Sequence, residues 1–512
     1  MKLTHRHLLN GAIALGLCLR LYFYAVRPPT LWQDEAYWAV KAIKTAAIDA
    51  QIRPIGFMVV TQFLLRVFGP AAWVYRVLPG IGAFVSMSLS GYVATRLFKQ
   101  PWTQLLSVFL LAVNPVALEM ALEFKHYGAE VGAYMGTLAA LLLHLERGTW
   151  KSLALLLATA WLSFFFSITI IFLYPALFCV VAWRAYRGKD FRRLVAIGAT
   201  AFVCLGTIST IYVTTWRTIK TQKAEKKWGT WYDVFYLKNG LRTSHDSRLS
   251  WTTAKYFELA STPSVDRDLW KTERLSAERL ERLKLADVVL WSVLHLLGLA
   301  WLVRQRRFEE LALLWTPLLM VTAFNLAGRW PAGAFRTNTF YVPFAILLSC
   351  FALEWLPSED RSRRVLAATA TALLWLSTVV FRPNLDVKGL WTHPGAFTAA
   401  LDTLPLNPPK NGRTLVMDFE SCRPWDYYTA FDRPYAKRGS QLRDEYKTKC
   451  LRTGEKLERE FKRLQGSQAR FTYLLTDPRK FSYMEDFAKK RCRKATATYI
   501  HGRTHLVLTC QS

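Results

Sequence analysis

Acids and histidines are scarce in this chain. Asp and Glu number 37 against 67 Lys and Arg in 512 residues, a formal charge of +30, and only 9 His are present. No recognition motif gathers the basic residues, which are scattered between apolar runs, so a nucleic-acid partner is disfavoured. The excess suits cytoplasmic loops, anionic lipid or a phosphorylated substrate. There is no Gly-rich phosphate loop and no dinucleotide fingerprint, so no nucleotide-binding fold is expected. No internal repeat is visible, which weighs against a transporter built from repeated halves. No small-x-small cleavage site follows the first apolar run, Leu8–Val26. That run is expected to stay as a first span entering from the cytoplasm.

What the chain has in quantity is apolar and aromatic surface: 52% hydrophobic residues, 14% aromatic, 20 of them Trp. Repeated apolar runs near the length needed to cross a bilayer define a mostly α, polytopic membrane bundle. About eleven spans are expected by hydropathy: Leu8–Val26, Trp73–Phe98, Thr103–Leu118, Gly128–Leu145, Ser152–Phe166, Ile168–Trp183, Leu194–Thr215, Ala286–Val303, Leu311–Leu326, Thr339–Leu356 and Val365–Phe381. Basic clusters fall in alternate loops: Lys99, Arg147/Lys151, Arg184–Arg193, Arg304–Arg307 and Arg361–Arg364. The positive-inside rule makes those loops and the N-terminus cytoplasmic.

The other side then receives a first loop at 27–72, a turn at 119–127, a long loop at 216–285, a turn at 327–338 and everything after Phe381. Within the first loop, Pro54–Phe68 is short for a span and reads as a helix lying in the interface. Within the long loop, Trp228–Tyr236 reads as an amphipathic surface helix or lid. Leu275–Leu285 reads as a helix leading into the next span.

Residues 1–382 thus form the membrane module, and 383–512 a small soluble α/β domain outside the cytoplasm. Strands are expected at Arg413–Met417, Phe471–Leu475 and Thr504–Leu508, with charged helices at Lys456–Leu464 and Met484–Arg491. Cys18, Cys179, Cys204 and Cys350 fall in apolar spans, whereas Cys422, Cys450, Cys492 and Cys510 fall in the tail. An even number outside the cytoplasm points to disulfides, with three pairings open.

Three polar clusters share the outer side. The first is Leu31-Trp32-Gln33-Asp34-Glu35-Ala36-Tyr37-Trp38, an acid pair flanked by interfacial aromatics. A carboxylate there has a tunable pKa and meets polar substrates; the alternative is a solvated loop acid. The second is Glu119, Glu123-Phe124-Lys125-His126-Tyr127 and Glu130, ionisable groups beside spans or a simple interfacial salt bridge. The third is Arg329-Trp330-Pro331 through Arg336, whose guanidiniums suit a phosphate or a lipid headgroup equally. Carboxylates with cations fit glycosyl transfer from a lipid phosphate: cations on the leaving phosphate, a carboxylate taking the acceptor proton. No His sits at metal-ligand spacing near the acids, so metal-independent chemistry without a cofactor is expected. His245-Asp246 reads as a solvated pair.

These residues resemble the GT-C-type membrane glycosyltransferases that use polyprenyl-phosphate sugars. The resemblance is in particular to the bacterial relatives of protein O-mannosyltransferases, lipid A aminoarabinose transferases and lipopolysaccharide-core galacturonosyltransferases. The resemblance runs through Arg20, Trp32, Asp34-Glu35-Ala36-Tyr37, Pro54, Phe68-Gly69, Arg76, Glu123 to Tyr127, and Trp330-Pro331, Arg336 and Tyr341-Val342-Pro343. It implies Asp34 as catalytic base and Glu35 as its partner. It also implies Lys125 and Arg336 as phosphate-holding cations, with Tyr127 lining the pocket and Glu123 and Arg53 as further substrate contacts. Many relatives have His-Pro-Pro-Leu where this chain has Arg53-Pro54-Ile55-Gly56, and an Arg there suits an acidic group. The implied reaction is an inverting direct displacement onto an acceptor hydroxyl of a glycan, lipid or protein, in the cytoplasmic membrane. A transporter or flippase of a lipid-linked glycan is the alternative, disfavoured because the charges lie at span ends.

Overall fold

A computed structural model describes residues 4–26, 31, 33–44, 54–211, 213–214, 237, 241, 247–261, 277–333, 336–355, 396–408, 413–432, 435–451, 459, 463, 470–475, 481–500 and 505–511. By contacts the chain divides into two units. One holds Met1–Val26, Ala47–Val60 and Arg76–Pro383, the other Arg27–Ala46, Thr61–Tyr75 and Asn384–Ser512.

The first unit is helical because its apolar runs must satisfy their own backbone groups wherever lipid replaces water. Its elements are α1 His5–Val26, α3 Ile55–Phe68 and α4 Ala72–Leu97 (the last two shared with the other unit), α5 Pro101–Val113, α6 Pro115–Leu122 and α7 Tyr127–Arg147. They continue with α8 Trp150–Phe166, α9 Tyr174–Arg187, α10 Phe191–Ile211, α11 Arg248–Ala260, α12 Ala277–Arg304, α13 Phe308–Leu326 and α14 Val342–Phe351. Among the described residues, 6 helices are long and apolar enough to cross a membrane, or 7 if the bent pair α5–α6 is one span. Others expected as spans are shorter here: α8 has 17 residues and α9 has 14. The expected span at Val365–Phe381 and the aromatic cluster Trp228–Tyr236 lie outside the described residues. The helix anticipated from Leu275 runs unbroken into its span as α12, 28 residues long.

The basic loops meet at one end of this bundle. Arg96 at the end of α4 pairs with Glu146 at the end of α7 at 2.8 Å. Arg184 at the end of α9 reaches Glu309 at the start of α13 at 2.6 Å and the Leu145 carbonyl at 2.9 Å. Arg307 donates to the Leu97 carbonyl at 2.7 Å. Gly148, with φ +59, caps α7 and turns the chain into α8, whose first turn carries a Thr149/Ser152 capping box.

The second unit contains α2 Gln33–Lys44, α15 Ala396–Asp402, α16 Phe419–Ala430, α17 Ala436–Glu445 and α18 Phe481–Arg491 with a five-stranded sheet. The strands are β1 Thr414–Asp418, β2 Lys447–Leu451, β3 Arg470–Leu475, β4 Lys494–Ile500 and β5 His505–Gln511, in the order β2-β1-β3-β5-β4. β1 runs parallel to β2 and β3, and β5 runs antiparallel to β3 and β4. The period-two pattern puts Leu506, Leu508 and Cys510 of β5 into one core with Met484 and Ala488 of α18. The three strands expected from sequence are β1, β3 and β5, and the expected helix at Met484–Arg491 is α18; most of Lys456–Leu464 is outside the described residues. The pairing left open by sequence is Cys422–Cys450 and Cys492–Cys510.

Candidate functional site

In the first unit the site is built on a broken helix. Pro115 has no N–H to give the carbonyl four residues back, and α5 and α6 meet at 44°. Asn114 restarts the helix by accepting the Ala117 N–H at 2.9 Å. The carbonyls freed at the break are those of Leu111 and Ala112. Both accept from the buried Arg20 guanidinium of α1, at 3.2 Å each. Arg20 is therefore a bracket for the break.

Four residues after the end of α6, the chain reverses into α7 through Glu123, Phe124, Lys125 and His126. The reversal is tight enough that the Lys125 N–H bonds the Glu123 carbonyl at 2.6 Å. Glu123, Lys125 and Tyr127 are all buried, Lys125 with only 3% of its surface exposed. Phe124 stacks on Phe57 of α3 at 6.0 Å, and the His126 and Tyr127 rings lie 4.7 Å apart. One turn into α7, Glu130 is wholly buried, its carboxylate 3.7 Å from His126 Nε2.

The start of α7 is fixed against α4 by glycines. A Cβ on Gly128 would stand 2.6 Å from the Pro79 carbonyl oxygen, and one on Gly132 would stand 2.6 Å from the Gly82 Cα. Gly128 and Gly132 are one turn apart on the same face, so the two backbones touch there.

The turn carrying Arg336 is held by asparagines. Asn338 accepts from Trp330 Nε1 at 2.9 Å and donates to the carbonyls of Pro331 and Gly333 at 3.1 and 3.0 Å. Asn325 donates to the Trp330 carbonyl at 2.8 Å. Gly333 adopts φ +95, a conformation few other residues accept. The following 3-10 turn, Arg336–Tyr341, packs on α6 and α7, with Phe340 stacked on Tyr134 at 4.8 Å. Sequence reasoning missed what covers this turn. On α11, Lys255 and Glu258 pair at 2.7 Å, and both line the space over Gly333. The missed signal is their spacing of three on a helix whose one other charged residue is Arg248.

One unit therefore joins the Lys125 reversal, Tyr127, Glu123 and the backbone turn of Arg336. The acid pair lies in the other unit, on the first turn of α2: Asp34 is its second residue, and Glu35 is wholly buried. Arg53 and His245-Asp246 lie outside the described residues. Among the described residues, no cluster of three or more His, Cys, Asp or Glu suits a metal ion.

Membrane-length helices with polar side chains buried at their breaks, joined in sequence to a disulfide-bonded α/β unit, define a multi-pass membrane protein. No family model matches the sequence, and no curated protein matches it. By structure the chain is similar to the crystal structure of ArnT from Cupriavidus metallidurans in the apo state. The TM-score is 0.51 and the identity 11%, over 98% of each chain. ArnT bound to undecaprenyl phosphate aligns with a TM-score of 0.47 and 12% identity over 98% of each chain. Archaeal oligosaccharyltransferase AglB from Archaeoglobus fulgidus, in complex with an inhibitory peptide and a dolichol-phosphate, aligns with a TM-score of 0.48 and 11% identity. That match covers 95% of this chain and 71% of AglB. The apo ArnT likeness is one of fold, and it runs the length of the chain.

Proposed function

We propose that this protein is an integral membrane glycosyltransferase. It moves a hexose or pentose from a polyprenyl-phosphate donor to an acceptor hydroxyl, at the non-cytoplasmic face of the cytoplasmic membrane. The acceptor oxygen attacks the anomeric carbon, the bond from that carbon to the lipid phosphate breaks, and the centre inverts. Asp34 takes the acceptor proton, and Glu35 orients the acceptor or Asp34 itself. Lys125 and Arg336 hold the phosphate, whose negative charge grows as it leaves. Tyr127 and Glu123 line the same pocket, and Arg53 meets an acidic group on a substrate. A basic outer surface favours an anionic acceptor.

The observation that carries this reading is Lys125. Burial to 3% exposure at a helix reversal is costly for an ammonium, which makes Lys125 a functional candidate by default, and a lipid phosphate arriving sideways is an anion that suits it. The test uses the full-length protein in lipid nanodiscs, given radiolabelled polyprenyl-phosphate sugars and an envelope extract. Wild type transfers label to the extract. Asp34→Asn inserts normally and loses at least about a hundredfold in rate, the usual range for removing a general base. Undiminished transfer by Asp34→Asn removes it as the base.

A further inference from the structure

The acid helix α2 is held by the C-terminal part of its own unit. Its small residues Ala36, Ala39 and Ala42 are buried at three-residue spacing, and it packs along α16. At its C-terminal end, Lys44 lies 5.3 Å over the Phe431 ring, and Gln62 donates to the Ala42 carbonyl at 3.1 Å. At its N-terminal end the hold falls on the Leu31 backbone. The Tyr428 hydroxyl accepts the Leu31 N–H at 2.7 Å and donates to the Leu31 carbonyl at 2.7 Å.

We infer that Tyr428 is a positioning residue for the Asp34–Glu35 pair, acting through the Leu31 backbone; this rests on the reading of Asp34 as the base. Both polar groups of the Leu31 backbone go to one hydroxyl, so this peptide cannot slide or rotate without losing both bonds. Leu31 stands three residues before Asp34, immediately ahead of the first turn of α2. The hydroxyl itself does not wander. Tyr428 is 1% exposed, stacked on Phe397 at 5.8 Å and edge-on to Tyr427 at 5.1 Å. A phenylalanine would fill the same ring slot, so the hydroxyl is there for the Leu31 contact. A base must meet its proton within hydrogen-bond reach, and small displacements of a reacting group are expensive in rate. A rigid hold on the residue three before it supplies that accuracy.

The experiment compares wild type, Tyr428→Phe and Tyr435→Phe as full-length proteins in nanodiscs. Tyr435 is the control: its ring stands edge-on to Tyr428 at 6.4 Å, but its hydroxyl bonds Asp402 at 2.9 Å and not Leu31. Hydrogen–deuterium exchange is read over residues 31–38, and transfer is read with radiolabelled lipid donors extracted from cells lacking the protein. In Tyr428→Phe, exchange at 31–38 rises about tenfold while the β1–β5 peptides keep their protection. The kcat falls about tenfold or more, and the donor KM stays within about twofold. Tyr435→Phe changes neither quantity. Unchanged exchange at 31–38 in Tyr428→Phe overturns the inference, whatever the activity. Faster exchange with full transfer overturns the positioning role. Should wild type transfer nothing while exchange still accelerates, the glycosyltransferase reading fails and the hold on α2 stands.

Discussion

The Arg20 guanidinium and the Leu111 carbonyl are hydrogen-bonded at 3.2 Å across two helices, where Pro115 has withdrawn the partner that Leu111 would have in a continuous helix. A cation is thus used to mend a backbone defect, and the defect is what turns α6 toward the Glu123–Tyr127 reversal.

Replacing Arg20 by Met keeps its bulk and removes the donors. Two buried carbonyls are then left unmet, at about 1–3 kcal/mol each. Thermal unfolding in detergent should begin several degrees lower than in wild type. A donor phosphate-binding role alone would leave the unfolding temperature unchanged.

The glycine contacts of α4 and α7 make a paired prediction. Gly132→Val should abolish recovery of folded protein, because its Cβ would stand 2.6 Å from the Gly82 Cα. Gly136→Ala, one turn on, meets nothing within 4 Å and should be neutral or slightly stabilising. Size-exclusion yield of the two variants checks it.

Loss of the Lys125 charge should weaken donor binding before it touches proton transfer. Lys125→Gln is expected to raise the donor KM about tenfold or more, with kcat falling as well, since charge builds on the leaving phosphate. Steady-state transfer kinetics separate it from Asp34→Asn, which should act on kcat alone.

The Cys492–Cys510 disulfide closes a loop with a sequence separation of 18, and loops of that size gain about 3 kcal/mol from cross-linking. Cys492→Ser should lower the melting temperature of the sheet, read by circular dichroism of the β signal. The same variant should leave protection of α4–α7 peptides unchanged in hydrogen exchange.

Stability of the second unit should depend on pH through Asp432. Burial pushes its carboxyl up to about 6, against the nearby Tyr427 hydroxyl and the Tyr435 N–H, which pull it down. The folded pKa is above the unfolded one, so the unit is favoured while the acid is protonated in both states. That advantage is lost as pH rises from about 4 through about 6. Asp432→Asn should flatten this slope, and thermal scans between those pH values measure it.

The helices and the sheet were legible because lipid crossing and strand burial leave strong periodic signals. The match of Leu275–Leu285 to α12, and of Arg413–Met417 to β1, rests on that. The strands β2 and β4 escaped, since Lys447-Thr448-Lys449 carries no apolar alternation and the core-facing positions of β4 begin on the small residues Ala495 and Ala497. Arg20 was legible only as one position of the family resemblance. Its partners were not, because the missing N–H of Pro115 matters only once α1 lies beside α5. Tyr428 was invisible, since nothing local links it to Leu31, 397 positions away.

That separation has a practical consequence for how the chain can be cut. Leu31, at the head of the acid helix, is made 397 residues ahead of Tyr428, so the helix waits undocked until that part of the chain has been synthesised. The tail is thus no detachable cassette. A truncation after Pro383 would leave α2 formed but unmoored, and a graft of this tail onto a related protein without residues 27–46 would leave Tyr428 with no helix to hold.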